Sequence, residues 1–339
     1  MPLDSVLKKL AKGDNLTLGE AQGAFDLIFT GEIPPADIAT FLLDLCKKGE
    51  TVDELLGAVA SMRSRMITVK APPGTIDIVG TGGDNHGTFN ISTAVAIVTA
   101  ACGVPVAKHG NRAASSRSGS SDILAALGLN LDADFDVLEQ CLQEANLCFL
   151  FAPRHHTAMK HVADVRRKLG MRTIFNLVGP LTNPANVKRH LIGVYELEWL
   201  GPMAEVLKQL GSTAAWLVHG QDGMDEITTT APTDAVELRG GCVRHFALTP
   251  EQLGVPRVRL DELKGGDAKR NAEELKRLLQ GQRGPYRDIV LVNTAAALAV
   301  AGKYEDMKTG MSRAADAIDG GAARHTLDTL VRLTKGLRA

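Results

Sequence analysis

Apolar residues recur along the chain with two different spacings, and the change between the spacings divides the sequence. Up to about residue 70 the spacing is helical, as in Leu55, Leu56, Val59 and Met62. Two Thr-x-x-Glu pairs, Thr17 with Glu20 and Thr51 with Glu54, have the pattern of helix capping boxes. The pattern predicts a small helical domain over residues 1–70, and nothing in this part carries obvious chemistry.

The segment KAPPGT, residues 70–75, breaks the helical spacing with two prolines and a glycine, and we place the domain boundary there. Beyond it apolar, strand-like runs alternate with helical stretches. The runs are IDIV, VPVAKHG, CFLFA, HLIGVY, AAWLVHG and DIVLVNTAAALAVAG. This alternation predicts an α/β domain over residues 71–339 with a mostly parallel central sheet covered by helices. Residues 260–287 are expected to form a polar helical stretch between loops.

Composition and charge exclude several classes of protein. The 38 Lys and Arg residues nearly balance 39 Asp and Glu residues, which argues against an extended nucleic-acid surface. The most apolar stretch, residues 93–107, is shorter than the roughly 18 residues of a membrane span. No cysteine or histidine spacing fits a zinc site. We expect a cytoplasmic protein whose five cysteines, in apolar surroundings, are free buried thiols: Cys46, Cys102, Cys141, Cys148 and Cys242.

The first candidate site follows the first predicted strand, in the segment GTGGDNHGTFNIST, residues 80–93. Its clustered glycines allow the backbone to approach a ligand closely, and the helix that follows offers free N–H groups to a phosphate. An ordinary strand–helix turn is the alternative. The segment has neither the lysine of a Walker loop nor the third glycine of the dinucleotide fingerprint, which argues against ATP and NAD.

Three further segments carry candidate chemistry. Residues 108–122, KHGNRAASSRSGSSD, combine cations, hydroxyls and glycines directly after the second strand, as a polyanionic ligand requires. Residues 222–226, DGMDE, follow a later strand and could hold Mg²⁺ that bridges to phosphate oxygens. The basic run VRRKLG, residues 165–170, is either a solvated helix face or the source of an arginine that grips a carboxylate. Together they indicate a Mg²⁺-dependent enzyme acting on a small phosphorylated molecule.

The motifs, taken in this order, resemble those of the anthranilate phosphoribosyltransferases of tryptophan biosynthesis. The similar segments are GTGGD-x-x-x-TFNIST, KHGNR-x-x-SS-x-SGS-x-D, FAP-x-x-H-x-AM, VR-x-x-LG-x-RTIFN, GPL-x-NPA and DG-x-DEI. The resemblance covers nearly the whole chain. It implies a helical domain joined to an α/β domain of the nucleoside phosphorylase and phosphoribosyltransferase type, with homodimerisation through the helical part. Asn85 departs from the family, which usually has glycine there, but asparagine tolerates a left-handed backbone.

The resemblance also implies the substrates and the residues that hold them. Ligands of 5-phospho-α-D-ribose 1-diphosphate (PRPP) would be Gly80, Gly83, Asp84, Thr88, Asn90, Ile91, Ser92, Thr93, Lys108, Asn111, Arg112, Ala113, Ala114, Ser115, Ser116 and Ser120. Anthranilate would lie against Gly80, Asn111, Arg166, His109 and His156. Two Mg²⁺ ions are implied, one on Ser92 and the other on Asp225 with Glu226.

In the implied reaction the amine of anthranilate attacks C1 of the ribose as diphosphate leaves, giving N-(5-phosphoribosyl)anthranilate. An aromatic amine is neutral and nucleophilic at pH 7, so no general base is required. The charge of the leaving group is the difficulty, and Mg²⁺, backbone N–H groups and Lys108 can neutralise it. Lys108 and His109 are the candidate catalytic side chains.

Two other functions stay open. A pyrimidine nucleoside phosphorylase would share the architecture and a related Lys-His loop, and a non-catalytic relative could bind nucleic acid. The complete GTGGD and DE motifs and the net charge of −1 favour the transferase.

Overall fold

Four helices precede the first strand in the computed structural model, which describes residues 3–84, 86–112, 118–304 and 306–336. They are α1 (Leu3–Leu10), α2 (Leu18–Ile28), α3 (Pro35–Lys48) and α4 (Val52–Arg63). Both predicted capping boxes are present, at the starts of α2 and α4. Phe25 and Phe41 pack edge to face in the core between these helices, with ring centroids 5.2 Å apart. The helices predicted from the apolar spacing are therefore confirmed.

Glu54 joins three connections of this helical bundle. Its buried carboxylate accepts the backbone N–H groups of Leu16 and Thr51, both at 2.8 Å, and forms an ion pair with Lys48 at 2.9 Å. One side chain therefore satisfies the start of α4, the end of α3 and the segment before α2. Glu20 has the same capping-box position and also pairs with a lysine, but its side chain is 26 % exposed.

We expect Glu54→Ala to lower the free energy of unfolding by about 3 kcal/mol, because it removes the only carboxylate that pairs with Lys48 among the described residues and leaves the buried Leu16 N–H without its acceptor. The matched change Glu20→Ala should cost about 1 kcal/mol, since water can replace the lost cap. Urea denaturation followed by circular dichroism measures both. Equal losses would show that the burial of Glu54 does not matter.

Seven strands form one sheet in the order β3-β2-β1-β4-β5-β6-β7 among the described residues. They are β1 (Ile76–Gly80), β2 (Val106–Gly110), β3 (Leu147–Phe151), β4 (Arg189–Gly193), β5 (Ala214–Gly220), β6 (Thr233–Arg239) and β7 (Cys242–Leu248). The first five in this order pair in parallel, and β6 and β7 are antiparallel. The expectation of an α/β fold with a mostly parallel sheet is confirmed.

Helices cover both faces of this sheet. They are α5 (Ile91–Ala101), α6 (Ser120–Ala126), α7 (Phe135–Glu144), α8 (Ala152–His155), α9 (Lys160–Leu169), α10 (Ile174–Val178), α11 (Leu200–Gln209), α12 (Ala268–Leu279), α13 (Pro285–Val300), α14 (Met307–Asp319) and α15 (Ala322–Thr334). One apolar core packs α5 and α13 on one face of the sheet. A second core packs α10 and α11 on the other face and continues into the N-terminal helices, where Phe25 meets Phe175 at 5.7 Å.

Two parts of the sequence prediction are wrong. The run DIVLVNTAAALAVAG, expected as a strand, forms most of the helix α13. Of the 16 residues of α13, 13 are buried. The helix therefore has no polar face that would reveal its helical period in the sequence. The hairpin of β6 and β7 was not predicted at all. Gly240 and Gly241 connect these strands with φ values of +57° and +80°, the geometry of a two-residue hairpin turn.

The expectation of five free buried thiols is right about the free thiols but wrong about burial for three of them, since Cys46 and Cys102 are only half-buried and Cys242 is exposed. All five thiols are free, and Cys141 and Cys148 are buried. Cys242, however, is exposed at the start of β7, on a strand whose residues mostly face solvent. None of the helices that the structure describes is both long and apolar enough to cross a membrane.

Candidate substrate and metal site

The candidate site lies at the carboxyl ends of β1 and its neighbours. The strand order reverses between β1 and β4, and open α/β sheets bind ligands at such a point. Backbone register between β1 and β2 extends over one pair, Ile76 and Val106. Beyond this pair, one side chain of each strand forms a hydrogen bond with the backbone of the other strand. Lys108 Nζ donates to the Ile78 carbonyl at 2.6 Å, and the His109 N–H donates to Asp77 Oδ1 at 3.1 Å. The strand ends therefore leave a crevice lined by charged groups.

The glycine loop, residues 80–90, closes one side of the crevice. Gly82 donates its N–H to Asp225 Oδ2 at 2.9 Å, and a β-carbon on Gly80 would overlap the same carboxylate. Arg172 fixes the other side of the loop, since it donates to the Gly83 carbonyl while its guanidinium stacks on Tyr195 at 4.1 Å. Glycine at Gly80 and Gly82 therefore allows the loop to lie close to the Asp225 carboxylate, while its predicted approach to a ligand stays a prediction. Asn85 lies outside the described residues.

Helix α5 starts at the end of this loop, with Asn90 as its N-cap residue. Ser92 directs its hydroxyl into the crevice, where Lys108 Nζ lies 3.1 Å away. Thr93 is one of the predicted ligands, but its hydroxyl does not face the crevice. The side chain is buried in the core, and Oγ1 has no hydrogen-bond partner in the described part of the chain. Ile91 is likewise buried. The Ile91 N–H already donates to the Phe89 carbonyl at 2.8 Å, so a ligand at the helix start would meet the N–H groups of the residues that follow Ile91.

The segment between β2 and α6, residues 111–119, is called the second loop, and the structure describes its two ends. Ser120 Oγ donates to the Asn111 carbonyl at 3.3 Å, and the Arg112 guanidinium lies 6.0 Å from the Phe151 ring centroid. The predicted ligands Ala113, Ala114, Ser115 and Ser116 lie outside the described residues. Asn90 Nδ2 donates to the Ser118 carbonyl at 3.2 Å, so this loop contacts the glycine loop directly.

Asp225 and Glu226 bring two half-buried acids to the crevice, in the loop that follows β5. Burial and the nearby Asp84 raise the pKa of Asp225 to about 6, and burial with the neighbouring Asp225 raises the pKa of Glu226 well above its usual range. A cation would relieve this repulsion. In the described residues no group of three or more His, Cys, Asp or Glu side chains could hold a metal alone. The pair therefore suits Mg²⁺, which takes its other ligands from phosphates and water.

Lys108 is the buried cation of the site. Desolvation lowers its pKa, while Asp77, Glu226 and Asp225 oppose that shift. Its ammonium is held by Ile78 and Ser92 between the glycine loop and the acidic pair. A positive charge at this position can stabilise negative charge that develops on a leaving group.

The imidazole rings of His109 and His156 lie next to each other at the end of β2. Their Nε2 atoms lie 3.2 Å apart, and His109 Nδ1 lies 3.2 Å from the Gly179 carbonyl, which can only accept a hydrogen bond. Burial lowers the pKa of His109 well below its usual range and that of His156 to about 4. Both rings are therefore neutral at pH 7, with His156 donating to His109. They offer aromatic surface and no positive charge.

Arg166, on α9, lies over the Phe175 ring at 5.2 Å and is half-buried. Among the described residues it has no ion-pair partner, whereas its neighbour Arg167 is exposed and pairs with Asp164 at 2.8 Å. An unpaired, half-buried guanidinium is suited to grip a carboxylate with two hydrogen bonds. Of the basic run on α9, Arg166 is the arginine that turns inward.

Gly193 is a site residue that sequence reasoning missed. It ends β4, and a β-carbon there would overlap the backbone carbonyl of Asp225.

We expect Gly193→Ala to displace the loop that carries Asp225 and Glu226. It should lower kcat about tenfold or more, because small misplacements of catalytic groups are costly. Gly201→Ala is the control, since its β-carbon would meet open space. Steady-state rates test this, and equal rates for the two variants would contradict it.

Comparison with known proteins completes the description of the site. Residues 72–324 match the model of the glycosyl transferase family, a/b domain, and residues 4–66 match that of the glycosyl transferase family, helical bundle domain. The anthranilate phosphoribosyltransferase of Rhodospirillum rubrum is 54 % identical over 98 % of this chain and 95 % of its own length. That of Azospirillum brasilense is 56 % identical over 98 % and 93 %.

Solved structures agree with these relatives. The anthranilate phosphoribosyltransferase of Thermus thermophilus superposes with a TM-score of 0.91 at 41 % identity, over 97 % of this chain and 99 % of its own. The Saccharomyces cerevisiae enzyme in complex with PRPP and Mg has a TM-score of 0.91 at 27 % identity, over 99 % and 98 %. The yeast enzyme in complex with 4-fluoroanthranilate, at 26 % identity, has a TM-score of 0.88 over the same shares of the two chains.

Proposed function

The chain belongs to the anthranilate phosphoribosyltransferase family, and from that premise we propose how its own residues hold the two substrates. The reaction is the Mg²⁺-dependent transfer of the 5-phosphoribosyl group from PRPP to the amine of anthranilate, with release of diphosphate. The observation that carries the residue roles is the contact of the buried Lys108 ammonium with Ser92, near the half-buried acids Asp225 and Glu226.

PRPP lies across the glycine loop and the second loop in our proposal. The start of α5 offers backbone N–H groups to the diphosphate, and the glycines keep side chains out of its place. The Lys108 ammonium would lie next to the diphosphate end of the substrate. The described ligands are Gly80, Gly83, Asp84, Thr88, Asn90, Ile91, Ser92, Thr93, Lys108, Asn111, Arg112 and Ser120. Those at 113–116 stay predictions from the sequence.

Two Mg²⁺ sites per chain are part of the proposal, with Ser92 as a ligand at one and Asp225 with Glu226 at the other. The raised pKa values of both acids support a cation there, since a cation favours their ionised forms. Bound Mg²⁺ supplies charge neutralisation of the diphosphate. The Asp225 carboxylate also accepts a hydrogen bond from the Gly82 N–H. It therefore holds the glycine loop next to the proposed metal site.

Anthranilate is proposed to enter between α9 and the end of β2. Arg166 would hold its carboxylate, and the neutral rings of His109 and His156 would contact its aromatic ring. Gly80 and Asn111 line the side that faces the ribose. Because neither histidine is charged at pH 7, the amine meets no positive charge that would compete for its lone pair.

The chain's contribution to the reaction is then positioning and electrostatics. The two loops orient C1 of the ribose toward the amine, and the buried lysine stabilises charge on the departing diphosphate. No side chain has to remove a proton before attack. Lys108 is the candidate catalytic residue, and His109 acts by positioning the ring of anthranilate.

Product stoichiometry tests the proposed function. The wild-type protein with Mg²⁺, PRPP and anthranilate should release one diphosphate for each anthranilate consumed. The same preparation should not cleave thymidine in the presence of phosphate. Thymidine phosphorolysis without diphosphate release would instead identify a nucleoside phosphorylase.

The remaining proposals concern assembly and biological context. We propose a homodimer through the helical domain of residues 1–70, where Leu18 on α2 and Leu43 on α3 expose 38 % and 41 % of their surface. Sedimentation at twice the chain mass would support it. We also propose that the protein acts in tryptophan biosynthesis in the cytoplasm, and we expect no nucleic-acid or membrane partner.

A further inference from the structure

A segment that the sequence analysis described only as polar and helical crosses behind the glycine loop. Phe89 donates its N–H to the Leu263 carbonyl at 3.0 Å, Thr88 and Lys264 form an antiparallel bridge, and the Gly265 N–H donates to the Gly87 carbonyl at 3.0 Å. We call residues 263–271 the strap. It pairs with the loop residue by residue, over the stretch that leads into α5.

Asn271 is the buried end of the strap, 1 % exposed in the first turn of α12. Its Oδ1 accepts the Gly266 N–H at 2.7 Å. Its Nδ2 donates to Asn90 Oδ1 at 3.0 Å and to Ser118 Oγ at 2.9 Å. Asn90 belongs to the glycine loop and Ser118 to the second loop, so a single amide group contacts both.

The direction of these hydrogen bonds is fixed by chemistry. The Gly266 N–H can only donate, so the oxygen of Asn271 faces it and the amide nitrogen faces the two loops. Asn90 Oδ1 must then accept, which turns Asn90 Nδ2 toward the Ser118 carbonyl at 3.2 Å. The chain of bonds runs from the strap through Asn271 and Asn90 to the second loop. Each member is determined by the one before it.

We propose that Asn271 is a positioning residue for PRPP, which sets the separation of the two loops by bonding both of them. The inference rests on the proposed binding of PRPP across these loops. Asn271 does not touch the reacting atoms in this account. Its contacts are with the strap and the two loops, whereas Arg166 contacts Phe175 and His109 contacts His156 and the Gly179 carbonyl, so Asn271 should act on one substrate and not on the other.

Asn271→Asp tests this with almost no change of shape. The aspartate keeps the acceptor for Gly266 but replaces the donor by an oxygen that faces Asn90 Oδ1. We expect the KM for PRPP to rise about tenfold while the KM for anthranilate stays within about twofold. The control is Asn130→Asp. Asn130 donates to the Thr334 carbonyl at 3.2 Å, away from both loops, and its loss should leave both KM values unchanged.

Three results would overturn the inference: an unchanged KM for PRPP in Asn271→Asp, a parallel rise of both KM values, or a loss of rate that follows the loss of folded protein in a thermal melt. If Asn271→Asp does not fold, Ser118→Ala decides, because it removes one acceptor of the amide. It should raise the KM for PRPP selectively by a smaller factor, and no change would overturn the inference. If wild-type protein consumes no PRPP, the proposed function itself is wrong.

Discussion

Replacement of both site acids, Asp225→Asn with Glu226→Gln, is expected to lower kcat about a thousandfold at a Mg²⁺ concentration that saturates the wild type. The amides keep the shape but lose the charge that holds the metal. Since burial and the charges of neighbouring acids raise the pKa of both residues, with Asp84 acting on Asp225 and Asp225 on Glu226, the metal-free variant should melt no lower than the wild type. Rates across a Mg²⁺ titration and thermal melts without Mg²⁺ measure the two effects.

Glu273→Gln with Glu274→Gln is the matched control for that experiment. These acids are also adjacent in the sequence, but they lie on α12, where Glu273 is exposed and the half-buried Glu274 pairs with Arg277 at 2.7 Å. Their replacement should leave the rate unchanged. An unchanged rate for the site variant at limiting Mg²⁺ would contradict the metal assignment.

Arg166→Ala is expected to raise the KM for anthranilate roughly 30- to 100-fold, because two charge-assisted hydrogen bonds to the carboxylate would be lost. The KM for PRPP should stay unchanged. Arg167→Ala is the control on the same helix, since its guanidinium is 77 % exposed and pairs only with Asp164 among the described residues. Steady-state kinetics with each substrate varied in turn make the comparison. A rise in the KM for PRPP alone would assign Arg166 to the other substrate.

Much of the site could be predicted from the sequence because its residues follow strands. The carboxyl ends of β1, β2 and β5 carry the glycine loop, Lys108 and the acidic pair, and a parallel sheet brings such ends to one edge. Local patterns also predicted the capping boxes. These features depend on neighbours within a few positions, which a single sequence displays directly.

The features that were missed depend on contacts between distant residues. Asn271 meets Asn90 across 181 positions, and Gly193 is recognised as necessary only when the Asp225 carbonyl lies against it. Helix α13 was mistaken for a strand because it is buried on nearly every side and has no polar face. The hairpin of β6 and β7 had a local signal in Gly240 and Gly241, which sequence analysis could have used.

The central claim is that this chain joins anthranilate to the phosphoribosyl group of PRPP. The most direct measurement mixes purified protein, Mg²⁺, PRPP and anthranilate and follows anthranilate fluorescence with time. The account predicts that fluorescence falls only when all components are present, and that it falls at the wild-type rate with Arg167→Ala and far more slowly with Arg166→Ala at low anthranilate. Persistent fluorescence with folded wild-type protein would contradict the claim.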